Sequence, residues 1–303
     1  MALLAAQRNA HEALMADAAA IKGRSLWEDA GRRFRANKAA MAGVIVLGLI
    51  TLCAIVAPSL SPHTIDDLDW MNIGAPPSLE NGHWFGTDDT GKDMFVLTWM
   101  GARVSLIIGV MTTAVALSIG VIYGATAGYV GGRTDNAMMR FVDVLYALPL
   151  LFFIIILVTV FGRNIYLVFL AIGCVEWLTM ARIVRGQTLS VKQKEFIEAA
   201  RASGAGPAAI IGRHVLPNVV GPVIVYVTLL VPTNILVESY LSFLGLGVKE
   251  PLTSWGVLIS RGANSIESAP WLLLIPATCL AITMFCFNFI GDGLRDALDP
   301  KDR

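Results

Sequence analysis

The sequence predicts an all-α protein that crosses a membrane six times. Its 303 residues are 55% hydrophobic and 15% charged, whereas soluble domains carry about 25% charged residues. Six apolar stretches reach the roughly 20 residues that span a hydrocarbon core. Because backbone groups in lipid must be hydrogen-bonded within their own segment, each stretch is expected to be a helix. The stretches are approximately residues 39–60, 102–130, 138–161, 164–181, 218–240 and 270–291.

The composition argues against several other classes of protein. The formal net charge is zero, which gives no argument for nucleic acid as a partner. The four cysteines lie inside apolar stretches, so we expect neither a disulfide framework nor a zinc site from Cys53, Cys174, Cys279 and Cys286. The four histidines lack metal-ligand spacing along the chain, and we predict no metal site from His11, His63, His83 and His214.

The positions of the basic residues predict the orientation in the membrane. Cytoplasmic connections carry an excess of Lys and Arg. With a cytoplasmic N-terminus, 18 of the 23 Lys and Arg residues fall in the predicted cytoplasmic segments, and both termini are cytoplasmic. The first apolar stretch begins too far from the N-terminus for a cleaved signal peptide.

Residues 1–38 are predicted to be a cytoplasmic segment that precedes the first span, 39–60. Within it, residues 24–38 place Leu26, Trp27, Ala30 and Phe34 near one helical face, with arginines elsewhere. This pattern is typical of an amphipathic helix lying on an anionic membrane surface. The alternative is an ordinary positively charged flank of the first span.

Residues 61–101 form a predicted outer loop, rich in proline and glycine, that should be ordered but irregular. Residues 86–92, GTDDTGK, fit the G-x-x-x-x-G-K opening of a phosphate-binding loop. However, Asp93 stands where Ser or Thr should coordinate Mg²⁺, and Asp88 and Asp89 would repel phosphates. No apolar strand leads into this loop, so we expect no nucleotide to bind there.

The most informative segment is the predicted cytoplasmic loop 182–217, which contains KEFIEAARASGAGPAAIIGRHVLPN (194–218). Glu198, Ala199 and Ala200 fall on a short predicted helix, whose small side chains allow another surface to approach the backbone closely.

A turn and a second short helix are predicted to follow. Gly204 and Gly206 favour the turn, and Pro207 can begin the second helix. Pro217 is expected to break that helix where the chain re-enters the membrane. Two short projecting helices suit docking in a groove of a soluble partner; the alternative from these residues alone is a solvated loop without a partner.

The same segment resembles the EAA loop of ABC importer permeases. That pattern is E-A-A, three residues, G, nine residues, an aliphatic residue, any residue, and L-P. His214 occupies the usually aliphatic position, and the other positions match at Glu198, Ala199, Ala200, Gly204, Leu216 and Pro217. The resemblance implies the type I ABC importer permease fold, in which this loop couples to an ATPase.

Further stretches resemble the peptide and nickel branch of these permeases: HWFGTDDTGKDMF (83–95), ESYLSFLGLGVKEPLTSWG (238–256) and FNFIGDGLRDALDPKDR (287–303). The start, GRSLWEDAGRRFRANKAAMAG (23–43), resembles the N-terminal segment of the C-type subunits of oligopeptide permeases. The resemblance runs from about residue 23 to the end. It implies a core permease domain over 102–292 and a cytoplasmic tail over 293–303.

The resemblance also implies a function and partners. These are oligopeptide import across the bacterial inner membrane by alternating access, a homologous second permease, two ATPases that hold ATP and Mg²⁺, and a periplasmic peptide-binding protein. The chain itself is expected to hold no cofactor. Dipeptide and nickel permeases remain alternatives, because selectivity in such systems resides largely in the binding protein.

Glycines and ionisable residues within the spans give further hypotheses. Glycines at four-residue intervals predict a groove for close helix packing, within this subunit or, less favoured, between subunits: Gly120, Gly124 and Gly128, with Gly132 following. Charged residues in lipid are costly and are functional candidates. Glu176 is predicted to face the polar pathway or the partner permease, and Glu238 to line the mouth of the pathway or reach headgroup water. Asp143 is expected to pair with Arg140 on its own helix.

Two other function classes are disfavoured. An intramembrane enzyme would need a nucleophile with a base, or a metal cluster, but no His lies in a predicted span and neither H-E-x-x-H nor G-x-S-x-G occurs. A stand-alone channel or ion-coupled carrier would not need the projecting loop. We therefore predict that this chain is not an enzyme.

Overall fold

A computed structural model of the chain describes residues 26–162 and 164–298. Over these ranges the regular structure is helical apart from one isolated β-bridge, which confirms the all-α prediction. The elements are α1 (Leu26–Ala36), α2 (Lys38–Leu60), α3 (Met94–Val130), α4 (Gly132–Tyr146), α5 (Leu150–Phe161), α6 (Ile165–Lys192), α7 (Glu195–Ala202), α8 (Pro207–Ile210), a π-helical turn (Ile211–Val215), α9 (Leu216–Phe243), α10 (Trp255–Asn264) and α11 (Trp271–Leu298).

Five helical segments in the described ranges are long and apolar enough to cross a membrane: Lys38–Leu60, Met94–Val130, Ile165–Lys192, Pro207–Phe243 and Trp271–Leu298. A sixth crossing results if Gly132–Tyr146 and Leu151–Phe161 count as one span, bent by 76°. The predicted third span, 138–161, is therefore two helices rather than one. Pro149 explains the break, because it has no N–H to donate and disfavours helical geometry in the residue before it.

The second span begins earlier than predicted. Asp93 caps α3, since its side chain accepts a hydrogen bond from the N–H of Val96 at 2.9 Å. The irregular loop therefore ends at residue 93 instead of 101, and we call residues 61–93 the α2–α3 loop. This cap supplies a partner for one of the N–H groups that the start of a helix leaves free.

Two other helices extend beyond their predicted spans. α6 continues to Lys192, so the first third of the predicted loop 182–217 is helical. α11 continues to Leu298, into the predicted tail 293–303. An apolar stretch marks only the part of a helix that lies in lipid. The helix itself can continue beyond the membrane, where its residues become polar.

The centre of the fold is the contact between α3 and α6, the most extensive in the described ranges. It depends on glycine: a Cβ added at any of three positions on α3 would come within 3 Å of an α6 atom, at Gly120, Gly124 and Gly128. The prediction of packing within this subunit is confirmed for these three glycines. Gly132 does not take part, because it begins α4 and has no atom within 4 Å of its added Cβ.

α2 is attached to α3 through a half-buried arginine between the two helices. The missing N–H of Pro58 leaves the carbonyl of Ala54, four residues earlier, without its helical donor. Arg103 of α3 donates to that carbonyl from Nε at 3.2 Å and from Nη2 at 3.0 Å. The guanidinium of Arg103 therefore satisfies a backbone group that a proline leaves without its donor.

Two ion pairs attach α4 to α6. Arg185 binds both carboxylate oxygens of Asp135, at 2.5 and 2.7 Å. Arg182 donates to Asp143 at 2.7 Å, so the predicted pairing of Asp143 with Arg140 is wrong. A pair three residues apart on one helix contributes only about 0.2–0.5 kcal/mol, and the facing helix offers a guanidinium to Asp143 instead.

The predicted amphipathic segment 24–38 forms α1, although residues 24 and 25 lie outside the described ranges. Ala30 is buried, Trp27 is more than half exposed, and α1 packs on the end of α11. Phe34 lies 3.4 Å from a Cβ added at Gly293. Asn37 then caps α2 and separates the two helices.

The α2–α3 loop is irregular, as predicted, and is held by carboxylate hydrogen bonds. Asp88 Oδ1 accepts from the N–H groups of Thr90 and Lys92, both at 2.8 Å. Asp69 accepts from the side chains of Asn72 and His83 and from the N–H of Met71, and these bonds lower its pKa to about 2. Asp69 is therefore ionised at neutral pH.

Candidate functional site

The α6–α9 connection, residues 193–215, carries most of the predicted site residues. Within it, α7 is amphipathic, and its Ile197 has an exposed fraction of 0%. Ile197 belongs to a cluster of buried apolar side chains from α3, α6 and α9, among them Ala125, Val184 and Val219, which we call the central cluster. Ala200 also packs against this cluster, whereas Glu198 and Ala199 are exposed. The predicted approach surface of α7 is thus formed by Glu198 and Ala199, and Ala200 is largely a packing residue.

The end of α7 is a Schellman motif. The N–H of Ala205 donates to the carbonyl of Ala200 at 3.1 Å, and the N–H of Gly204 donates to that of Arg201 at 2.9 Å. Gly204 has φ +83°, in the left-handed region that this motif requires. The space around Gly204 is open, with no atom within 4 Å of an added Cβ.

Pro217 does not break the chain of helices, and that prediction is wrong. The helical path is continuous from Pro207 to Phe243. Before the proline the helix widens into a π turn, in which the N–H of Leu216 donates to the carbonyl of Ile211. The wider turn relieves the steric conflict between a proline ring and the preceding turn. The second half of the connection therefore continues into the fifth predicted span as one helical segment.

The remaining residues of the motif differ in their exposure. Leu216 packs against the central cluster, and Pro217 is exposed. His214, at the usually aliphatic position, is half-buried, with its ring centroid 6.5 Å from that of Phe196 on α7. The imidazole thus fills space between α7 and the π turn, as an aliphatic side chain would.

Two residues that the sequence did not single out attach α7 to α3. Arg201 Nε donates to the hydroxyl of Tyr129 at 3.3 Å, and its guanidinium lies 5.1 Å from the ring centroid. Lys192 Nζ lies 5.7 Å from the same ring. Tyr129 is the penultimate residue of α3, so a displacement of α7 acts directly on the end of that helix. The feature of the sequence that could have indicated this contact is the aromatic side chain of Tyr129 at the end of a predicted span.

Glu176 lies on a polar face of α6. It is half-buried and precedes Thr179 by one turn of α6. Thr179 Oγ1 lies 3.0 Å from the hydroxyl of Tyr146. Towards the C-terminal end of α6, a cavity of about 490 Å³ is lined by Gln187, Tyr226 and Arg295 among apolar side chains.

Glu238, in contrast to Glu176, is completely buried within the subunit. Its exposed fraction is 0%, and Oε1 accepts hydrogen bonds from Ser242 at 2.6 Å and from Ser254 at 2.7 Å. Both serines belong to this chain and surround the start of α10. The interpretation that Glu238 lines the mouth of a pathway or reaches headgroup water disagrees with this geometry, because the carboxyl group is enclosed by its own subunit.

These features define a class: an integral membrane protein with several apolar spans, in which α3 packs on α6 along a glycine seam (Gly120, Gly124 and Gly128) and the helical connection 193–215 joins α6 to α9. Residues 120–303 match the family described as binding-protein-dependent transport system inner membrane component. Residues 25–77 match the N-terminal TM domain of oligopeptide transport permease C. The chain belongs to this family of binding-protein-dependent permeases and is a multi-pass inner-membrane protein.

The chain is similar over nearly its whole length to several named permeases. The oligopeptide transport system permease protein OppC of Haemophilus influenzae is 56% identical over 283 residues, which cover 93% of this chain and 91% of the relative. OppC of Escherichia coli K12 is 58% identical over 283 residues, with 93% and 94% covered. The dipeptide transport system permease protein DppC of Bacillus subtilis is 46% identical over 280 residues, with 92% and 87% covered.

Proposed function

We propose that this chain forms half of the translocation pathway of an ATP-driven importer that carries oligopeptides across the inner membrane. The observation that carries the proposal is the 56–58% identity, over 93% of the chain, to permeases named for oligopeptide transport. The lower identity of 46% to a dipeptide permease favours oligopeptides over the dipeptide alternative.

The proposed assembly contains this chain, a homologous second permease, two cytoplasmic ATPases and a periplasmic peptide-binding protein. ATP and Mg²⁺ belong to the ATPases. In the G-x-x-x-x-G-K segment of this chain, the N–H groups of Thr90 and Lys92 already donate to Asp88 and face a carboxylate, which supports the absence of nucleotide binding. The excess of Lys and Arg in the N-terminal segment, the α6–α9 connection and the tail supports cytoplasmic termini.

The proposed mechanism is alternating access driven through the α6–α9 connection. ATP binding closes the two ATPases, and the exposed face of α7 moves with the groove in which it rests. Two physical links pass this movement to the membrane: the contact of Arg201 with Tyr129, and the continuous helix from Pro207 to Phe243. A shift between inward-open and outward-open states requires contacts that differ between them, and the exposed Glu198 and Ala199 are suited to provide such contacts.

Uptake of labelled peptides tests the substrate assignment. Cells that lack the gene, and cells with the gene restored, are compared for uptake of di-, tri- and pentapeptides and of nickel. We expect restoration to rescue tri- and pentapeptide uptake. Rescue confined to dipeptides or to nickel would keep the importer class and contradict the oligopeptide assignment.

A variant of Glu176 tests whether the polar face of α6 serves transport. Replacement by leucine should lower peptide uptake by about tenfold or more, equivalent to ~1.4 kcal/mol on the limiting barrier, because it removes the carboxylate from a face that gathers polar groups. Glu176→Gln, which keeps a polar group of the same shape, should retain more activity. Leu170→Ala, at a largely exposed apolar position on the same helix, is the control. Unchanged uptake and assembly in Glu176→Leu would contradict the role.

A further inference from the structure

Four side chains that the proposed function does not use converge in the α2–α3 loop. His63, Asp69, His83 and Asp93 line a cavity of about 250 Å³, at whose rim Asp67 lies. They are separated by up to 30 positions in the sequence, and the spacing of the histidines gave no sign of a site. The turns of the loop bring them together beside the first turn of α3.

Two members of the group are buried, His83 with an exposed fraction of 1% and Asp93 with 2%. The two ring nitrogens of His83 face two carboxylates: Nδ1 lies 2.8 Å from Asp93 Oδ2, and Nε2 lies 3.2 Å from Asp69 Oδ2. Neighbouring carboxylates of this kind hold an imidazole ring in one orientation.

His63 supplies a buried nitrogen that lacks a partner. Its ring stacks on that of His83, with centroids 4.2 Å apart and an interplanar angle of 15°. Among the described residues, no hydrogen-bond partner is found for His63 Nε2, which is shielded from solvent. Leaving such a group unpaired has a cost in free energy.

We propose that His63, His83 and Asp93 bind one divalent cation of the zinc class in the α2–α3 loop. One potential ligand atom from each of the three residues lies within 4.8 Å of the other two. Two imidazole nitrogens and one carboxylate oxygen form a donor set that such cations prefer. With His83 Nδ1 and Asp93 Oδ2 as ligands, His83 Nε2–H donates to Asp69, which is the usual outer-shell arrangement.

Charge and space both favour a cation here. Two carboxylates face the stacked rings, and a divalent ion would balance them. With metal–ligand distances of about 2.1 Å, the ligand atoms of a tetrahedral zinc ion lie about 3.4 Å apart. The ligand atom of His63, which lies within 4.8 Å of the other two, must therefore move closer by up to about 1.4 Å. The half-exposed position of His63 near the start of the loop allows this movement. Bound metal would join the beginning of the loop to the cap of α3.

Metal titration of the full-length chain tests this proposal, which is independent of the transport function. The chain, purified with its partner subunits through an affinity tag that contains no histidine, is titrated with Zn²⁺ in competition with a chromophoric chelator. We expect one site per chain. His63→Gln should weaken it by more than about 100-fold, above the loss that outer-shell partners typically produce. His214→Gln, far away in the α6–α9 connection, should leave it unchanged.

Co²⁺ in place of Zn²⁺ reports the ligand type, since cysteine ligation adds a thiolate-to-metal charge-transfer band that His and Asp ligation lacks. Absence of saturable binding by the folded chain, equal binding by His63→Gln, or a thiolate band would each overturn the proposal. If His63→Gln fails to insert, Asp69→Asn takes its place. It should weaken binding by about 10–100-fold through the outer shell, and unchanged binding would again overturn the site.

Discussion

Replacement of Gly204 by aspartate is expected to abolish peptide uptake while the protein remains inserted in the membrane. Gly204 is exposed and has φ +83°, and no atom lies within 4 Å of an added Cβ. The new side chain therefore meets no steric conflict within the subunit. Its backbone cost is at most about 1–2 kcal/mol, and Asp and Asn tolerate the left-handed region better than most residues. Insertion depends on the apolar spans, which the substitution does not touch.

The effect on coupling has a different cause. The aspartate would project from the turn between α7 and α8, on the surface that we propose rests in a groove of an ATPase. A desolvated charge without a partner opposes such docking strongly. Gly204→Asn is the matched variant, with the same shape and backbone demand but no charge, and it should retain intermediate activity. Uptake of labelled peptide and the amount of protein in the membrane are measured together.

A second position separates docking from folding. Ala199→Arg changes only the exposed face of α7 and should also block uptake at a normal protein level. Ala200→Arg should instead lower the protein level, because Ala200 packs against the central cluster. Normal transport by Gly204→Asp, with the protein present at the usual amount, would remove this turn from the coupling role.

The coupling segment could be predicted from the sequence to a large extent because its signals are local. Glu198, Ala199 and Ala200 lie on α7, and Gly204 makes the expected turn. What the sequence did not reveal is which of the two alanines faces the core, since that depends on how α7 is rotated against α3 and α6. The expected break at Pro217 failed because a π turn, formed by the residues before it, accommodates the ring.

The errors among the charged residues have a common origin in contacts distant along the chain. Asp143 pairs with Arg182, and Glu238 accepts a hydrogen bond from Ser254, on an element that follows its own helix. Hydropathy indicates how deep in the membrane such residues lie. The rotation of each helix about its own axis decides which side chains they contact.

The glycine seam was predicted correctly because its period matches a helix face. The structure adds the identity of the opposing atoms. A Cβ added at Gly124 would overlap the carbonyl oxygen of Ala181 and lie 3.0 Å from the backbone nitrogen of Arg185. Both are backbone atoms of α6 and cannot move away as a flexible side chain would. The two helices would have to separate, which would also disturb the neighbouring contacts at Gly120 and Gly128.

Replacement of Gly124 by leucine is therefore expected to cause the largest loss of stability of any single substitution discussed for this chain. Overpacking a core by a few methylene groups costs about 1–3 kcal/mol, and more where backbone must shift. Gly124→Ala should already lower the unfolding temperature of the detergent-solubilised protein, and Gly124→Leu should leave little folded protein in the membrane.

Gly48→Leu is the matched control, because Gly48 is an exposed glycine in a span with no atom within 4 Å of an added Cβ. If Gly124→Leu accumulates and unfolds like the unmodified chain, α3 and α6 are not in backbone contact at this point. If Gly48→Leu is lost as well, the effect reflects bulk in a span and not the seam.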